Sequence, residues 1–192
     1  MGEDFMLTSR SPKNAALELL VEQLWCVSDM MAEGHETILP SGRVQVIFSL
    51  SNVPFATHDL DSNSSGTAHQ ILQGPTSQSR RVSRKSQISL CGVSFCPGGA
   101  GALFGRIDKT ADCIIPLRQF WGADAPHLGK RLRALNGHHA KLDLLENELE
   151  NRISDASKMP FLKRGVELLV SGATMQEVCD ELKCSPYIFR EL

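Results

Sequence analysis

The sequence predicts an α+β fold in which strands come first and helices come last. Apolar and polar residues alternate over 43–50 and over 87–95, which is the period of a half-buried strand. From Pro126 onward, leucines instead recur every three or four positions, which is the period of an amphipathic helix. Strands and helices that are segregated along a chain are typical of an α+β domain. We therefore expect a β-rich domain followed by helices.

The composition is that of a globular protein. The chain has 192 residues, of which 42% are hydrophobic and 22% are charged, and its formal net charge is −2. Charge alone therefore does not indicate a nucleic-acid partner. We find no secretion signal, no apolar stretch near the ~20 residues that span a bilayer, and no CxxC pair among the six cysteines. We expect a cytoplasmic protein with reduced thiols and no membrane partner.

The first half of the chain is expected to contain one helix and then three strands. The residues spaced as on one face of a helix are Leu17, Leu20, Val21 and Leu24, and the stretch 25–27 that follows is also compatible with the start of a strand. A turn signal at 40–42 precedes the strand over 43–50, and a polar loop at 61–67 precedes a short strand over 68–73. The strand over 87–95 leads into a glycine-rich turn and a short helix over 100–104.

A basic cluster lies just before the strand over 87–95, and its members are Arg80, Arg81, Arg84 and Lys85. Such a cluster could contact a phosphate group. Solvated charge on a loop is the more common outcome, and we favour that interpretation.

The second half of the chain is expected to be helical. One apolar stripe contains Leu128, Leu132 and Leu135. A second, which we call the connecting-helix stripe, contains Leu142, Leu145, Leu149 and Ile153, and Glu146, Glu148 and Glu150 are expected to face water. This stripe could form the interface of a homodimer or pack against the chain's own core, and the sequence favours neither.

No motif predicts catalysis, a cofactor or a metal. The glycine run at 98–105 follows a strand, but Phe104 stands where a dinucleotide-binding loop that starts at Gly99 needs a glycine. We therefore expect a tight turn with close backbone packing there. His138 and His139 are adjacent, and no His or Cys follows them at ligand spacing. No candidate nucleophile lies beside a recognisable base, so we expect no enzyme activity.

The end of the chain predicts a helix-turn-helix, the arrangement that places a second helix in the DNA major groove. A helix is expected over 161–170, a second over 175–182 and a third from Pro186. The boundary signals are, in order, Gly172 as a helix stop, the capping-box pair Thr174 and Glu177, the turn at 183–184, and Ser185 before Pro186.

Several stretches, in order, resemble a subgroup of the AraC family of transcriptional regulators. The stretch 38–48 is similar to the family's L-P-D-G-x-x-x-L-I-F, and Gly74-Pro75 and 92–100 are similar to its G-P and G-V-x-F-x-P-G-G-A. Further along, 116–122 resembles P-L-x-D-L-W-G, 142–149 resembles the connecting helix L-x-x-L-E-x-x-L, and 185–192 resembles the recognition helix.

The resemblance implies a cupin-like sensor and dimerisation domain with a connecting helix over 1–155, and an incomplete helix-turn-helix domain over 156–192. It implies DNA and an unknown small-molecule effector as partners. Ser185, Tyr187, Arg190 and Glu191 would be the DNA-contacting residues.

Three positions depart from the family's pattern. Lys183 stands where the family commonly has glycine, Glu191 stands where it usually has arginine, and Leu192 ends the chain partway through the recognition helix. We therefore expect a truncated regulator whose chain, by itself, does not bind DNA specifically. The alternative is a stand-alone ligand-binding or dimerisation module that no longer binds DNA. A cupin-like enzyme is disfavoured because the sequence has no His-x-His pair.

Overall fold

A computed structural model describes residues 6–28, 33–58, 65–105, 107–153 and 159–186. The strands in these ranges are β1 (Met6–Arg10), β2 (Val21–Ser28), β3 (His35–Ile38), β4 (Gln45–Ser49), β5 (Phe55–His58), β6 (Ser65–Ala68), β7 (Gln70–Gln73), β8 (Arg80–Ser83), β9 (Ser89–Phe95) and β10 (Ile114–Pro116). The helices are α1 (Ala15–Glu18), α2 (Gly99–Phe104), α3 (Arg118–Trp121), α4 (Asp124–Ala134), α5 (His138–Glu150), α6 (Met159–Val170) and α7 (Met175–Leu182). This confirms the predicted α+β, β-rich class.

The strands form one large sheet and one small one. The eight-stranded sheet has the order β1-β2-β9-β4-β7-β10-β5-β6, and β3 and β8 pair separately as a two-stranded ribbon. Every strand pairing found in the described residues is antiparallel. Because β4 pairs with both β7 and β9, its backbone is satisfied on both sides and it lies in the interior of the sheet.

The sheet buries apolar residues on both faces, since successive side chains of a strand point to opposite sides. On one face Val46 and Phe48 join a large core with residues of α1 to α5. On the other face Ile47 joins a smaller cluster that also contains Phe55, Ile71 and Leu90. We call these the helix face and the ribbon face.

The predicted helix over Leu17, Leu20, Val21 and Leu24 is wrong beyond its first turn. Helix α1 ends at Glu18, and the chain enters β2 at Val21. The register of β2 on β9 shifts between Val21 and Gln23. A bulge of this kind inserts one residue, so Val21 and Leu24 both reach the core although they are three positions apart. A bulged strand can therefore imitate helical spacing.

The polar segment predicted as a loop at 61–67 also contains a strand. Residues 65–67 belong to β6, which pairs with β5 at the edge of the large sheet. Its first three residues are exposed, so this edge strand could be built without apolar side chains there. Positions 61–64 of the predicted loop lie outside the described residues.

The connecting-helix stripe packs inside its own chain. Leu142, Leu145 and Leu149 of α5 have no exposed surface and belong to the helix-face core. The prediction that Glu146 faces water is also wrong, because this residue is buried. The stripe therefore covers the chain's own sheet and does not supply a homodimer interface.

The end of α6 and both ends of α7 lie where the sequence predicts them, whereas α6 begins at Met159, two residues before the predicted start. Gly172 follows α6 with φ +96°, and Lys183 follows α7 in the left-handed conformation with φ +52°. Positions 155–158 of the predicted break lie outside the described residues, and the break is wrong at 159–160, which belong to α6. The division of the chain at 155/156 stays a prediction. No described helix combines the length and the apolar character that crossing a membrane would require.

Candidate functional site

A cavity of about 650 Å³ lies between the ribbon face of the large sheet and the β3–β8 ribbon. The sheet contributes Ile47, Phe55, Ile71 and Ile114 to its wall. The ribbon contributes Ile38, Arg80 and Val82. Its volume is within the range of small-molecule sites, which are mostly apolar clefts of about 300–1,000 Å³.

Arg80 brings a positive charge into this apolar wall. It lies on β8 directly opposite Ile38 of β3, and its Nη1 atom is buried without a hydrogen-bond partner within the described part of the chain. Burial lowers the pKa of the Arg80 guanidinium, and the Asp112 carboxylate and the Cys113 thiol partly oppose this shift. An arginine nevertheless stays charged at physiological pH.

The prediction that the whole basic cluster is solvated loop charge is therefore wrong for Arg80. Both Arg80 and Arg81 belong to strand β8, and successive residues of a strand point to opposite sides. Arg81 is exposed, whereas the Nη1 atom of Arg80 is not. The alternation of Arg80, Arg81 and Val82 was the available signal, but the sequence offered no way to tell which face the ribbon would bury.

Among the residues that the structure describes, the cavity wall contains cationic and neutral polar groups but no carboxylate. Its polar members are His58, Gln73, Ser79, Arg80, Arg81, Ser83, Ser86 and Gln87. Asp112 is close enough to Arg80 to influence its pKa, but it is not part of the wall. The Asp112 carboxylate instead accepts hydrogen bonds of 2.7 Å from the backbone amide and the hydroxyl of Ser77.

Two of the wall's polar side chains are already oriented by neighbours. His58 Nε2 lies 3.0 Å from the backbone carbonyl oxygen of Asp112, which only accepts hydrogen bonds. Nε2 therefore carries the proton, and in the neutral ring Nδ1 is an acceptor. Gln87 Nε2 donates to the Ser86 hydroxyl at 3.1 Å.

The glycine run at 98–105 is a packed turn, as predicted. Gly98 has φ +79° and Gly99 begins α2. A Cβ atom on Gly99 would lie 2.1 Å from the backbone oxygen of Leu20, so the two segments can approach only because Gly99 has no side chain. This turn does not contribute to the wall of the cavity.

The helix-turn-helix region has the capping geometry that the sequence predicts. The Thr174 amide donates to Glu177 Oε2 at 2.7 Å, and the Glu177 amide donates to the Thr174 hydroxyl at 3.3 Å. Hydrogen bonds from the Thr174 amide and hydroxyl lower the pKa of Glu177. Of the predicted DNA-contacting residues, Ser185 is exposed after α7. The other three, Tyr187, Arg190 and Glu191, lie outside the described residues.

The searched residues contain no group of three or more His, Cys, Asp or Glu side chains placed to hold a metal ion. None of the six cysteines, all of which lie within the described ranges, is in a disulfide, and Cys26, Cys91, Cys113 and Cys179 are buried.

A family model described as a domain of unknown function, DUF6597, matches residues 10–110, which is more than half of the chain. The chain belongs to the DUF6597 family. Comparisons with curated proteins and with solved structures found no match. The DUF6597 match contains the whole cavity wall except Ile114. Helices α3 to α7 all follow the matched DUF6597 region.

Proposed function

We propose that the chain is a ligand-responsive transcriptional regulator of the AraC type. The DUF6597 cavity would bind the effector, and the segment from α6 onward would bind DNA through Ser185, Tyr187, Arg190 and Glu191. The observation that carries the proposal is the order of three features along the chain. Helix α7 has a capped start, Lys183 ends it with a left-handed backbone conformation, and a new helix starts at Ser185-Pro186. DUF6597 domains are associated with AraC-type regulators, which supports the same assignment.

The large sheet offers a route from the effector to the helices. Ile47 lines the cavity, whereas its neighbours Val46 and Phe48 pack into the helix-face core with α5. A ligand that displaced β4 would therefore shift side chains in the ribbon-face cluster and in the helix-face core, because close-packed interiors transmit small displacements. In this proposal the protein acts in the cytoplasm, needs no cofactor and catalyses no reaction.

A homodimer is part of the proposal, but the connecting-helix stripe is not its interface. We assign no other surface to it. Sedimentation of the wild-type protein at tens of micromolar tests self-association, and a monomer at that concentration would remove the homodimer from the proposal.

The regulator proposal is tested in cells that contain the gene. Deleting the gene should change the abundance of a small set of transcripts, and a wild-type copy should restore them. An Arg190→Ala copy should not, because loss of a base-reading arginine weakens specific binding by about 1–3 kcal/mol. Arg118→Ala is the matched control, since it also removes one arginine but does so at an exposed position on α3. Equal restoration by both variants would contradict the proposal.

The charge of the helix-turn-helix region favours a second candidate, a ligand-binding module that does not bind DNA. Residues 159–186 contain three Lys or Arg and four Asp or Glu residues, whereas DNA-binding surfaces are usually basic. Fluorescence anisotropy with the gene's own upstream region separates the candidates. Salt-resistant binding that discriminates against scrambled DNA supports the regulator, and it would overturn the expectation from the sequence that this chain does not bind DNA specifically by itself. Ligand binding without DNA binding supports the module.

A further inference from the structure

We propose that the cavity binds a monocarboxylate with an apolar body, and that Arg80 is the residue that pairs with its carboxylate group. The inference rests on the proposed function only in treating the bound molecule as an effector. The cavity itself is described by its own residues and contacts.

The first argument is that one nitrogen of the Arg80 guanidinium, Nη1, is buried. Arg80 Nη1 is shielded from solvent and has no hydrogen-bond partner within the described residues. A buried donor of this kind is costly, and a buried charge is tolerated when it is paired. A ligand anion would supply the missing acceptor. The planar guanidinium matches the two oxygens of a carboxylate, which it binds through parallel N–H···O hydrogen bonds.

The charge of the wall is the second argument. Within the described ranges, the wall contains Arg80 and Arg81 but no Asp or Glu, so no described side chain of the wall neutralises the cations or repels an anion. Asp112, whose carboxylate raises the pKa of Arg80, lies outside the wall and accepts two hydrogen bonds from Ser77. Arg81 is exposed, which leaves Arg80 as the single shielded cation of the wall. A single guanidinium fits a singly charged head group.

The apolar side chains of the wall indicate that the rest of the ligand, beyond its carboxylate, is apolar. Ile47, Phe55 and Ile71 belong to the buried ribbon-face cluster, and Ile38 and Val82 face them from the ribbon. These side chains would bury hydrocarbon, and each buried methylene group strengthens binding by about fourfold. A phosphate ion would place two charges against one shielded cation and would leave the apolar wall without contacts.

Isothermal titration calorimetry with the full chain tests the proposal. The probes are acetate, butyrate, hexanoate, octanoate and phenylacetate, each paired with its neutral amide, together with inorganic phosphate. We expect affinity to rise along the carboxylate series until the cavity is filled. Each amide should bind roughly tenfold or more weakly than its acid, which is the effect of losing a charged hydrogen bond. Arg80→Gln should cause the same loss, whereas Arg118→Gln should leave carboxylate binding unchanged.

Three results would overturn the proposal. The first is the absence of saturable binding by every carboxylate at millimolar concentration. The second is equal binding of acids and amides, or of phosphate and octanoate. The third is unchanged carboxylate binding in a folded Arg80→Gln variant, with folding checked by circular dichroism. None of these measurements involves DNA, so the ligand class and the regulator proposal can fail separately. Carboxylate binding without any transcript response would contradict only the regulator.

Discussion

Arg10 Nη1 donates a 2.5 Å hydrogen bond to Glu146 Oε2, which joins edge strand β1 to helix α5. The other oxygen of Glu146, Oε1, accepts hydrogen bonds from the backbone amides of Lys13 and Asn14. The carboxylate is therefore held by donors on both of its oxygens while its side chain is only 4% exposed. These contacts fix the segment between β1 and α1 against α5.

Replacing Glu146 should destabilise the protein strongly. Glu146→Ala leaves Arg10 and two backbone amides without their acceptor, and breaking a buried pair in this way costs about 3–5 kcal/mol. Urea unfolding measures the change, and Glu150→Ala on the same helix is the control. A loss below 1 kcal/mol would show that the network does not stabilise the fold.

The pH dependence of stability should change in a Glu146→Gln variant. Burial opposes ionisation of Glu146, but the hydrogen bonds from Arg10, Asn14 and Lys13 outweigh it and lower its pKa. Ionised Glu146 therefore stabilises the fold fully at pH values above 4.5, the ordinary pKa of a glutamate. This stabilisation is lost as the pH falls through the lower pKa that Glu146 has in the folded protein. The wild type should lose more stability than Glu146→Gln between pH 5 and strong acid, a range of about four pH units. Parallel curves would contradict this assignment.

Replacing Arg80 should stabilise the unliganded protein. Its buried Nη1 has no partner within the described residues, so Arg80→Met would remove the cost of an unpaired charge and add apolar contact. We expect the free energy of unfolding to rise by about 1–2 kcal/mol, since unpaired buried polar groups cost about that much. The control is Arg118→Met, which should change stability little. A destabilised Arg80→Met variant would mean that the guanidinium is satisfied in the free protein.

Leu145 should be a core residue and not an interface residue. It has no exposed surface within the single chain, so Leu145→Ala should cost about 2–5 kcal/mol at any protein concentration. Leu39→Ala is the matched control because Leu39 is 72% exposed. Urea unfolding at two protein concentrations tenfold apart separates the two roles, since loss of a dimer interface would make the difference depend on concentration.

The predicted domain of residues 1–155 should fold without the residues that follow it. Neither apolar cluster of the described sheet contains a residue after Ile153. A chain ended at Asp155 should therefore unfold cooperatively in urea, with coincident transitions by fluorescence and circular dichroism. A broad transition without fixed tertiary signal would mean that α6 and α7 complete the core.

The sequence predicted those elements whose period is unambiguous and local. Strands β4 and β9, helices α4 and α5, and the capping box before α7 were all predicted. The first half of β2, over 21–24, was not, because the bulge between Val21 and Gln23 produces helical spacing inside a sheet. The cavity was not predicted either. It depends on β3 pairing with β8 across more than forty residues, and nothing local to Arg80 reveals which strand will lie opposite it.

Two glycines of one short helix should respond in opposite ways to substitution by alanine. A Cβ atom on Gly99 would meet the Leu20 backbone oxygen at 2.1 Å, and backbone cannot move aside as a side-chain end can. Gly101 has nothing within 4 Å of the same position. Gly99→Ala should therefore cost about 1–3 kcal/mol, as overpacking does, whereas Gly101→Ala should gain about 0.5–1 kcal/mol from its better helix propensity. Thermal and urea unfolding of the two variants measure the difference. Equal effects would mean that α2 does not pack against Leu20 in solution.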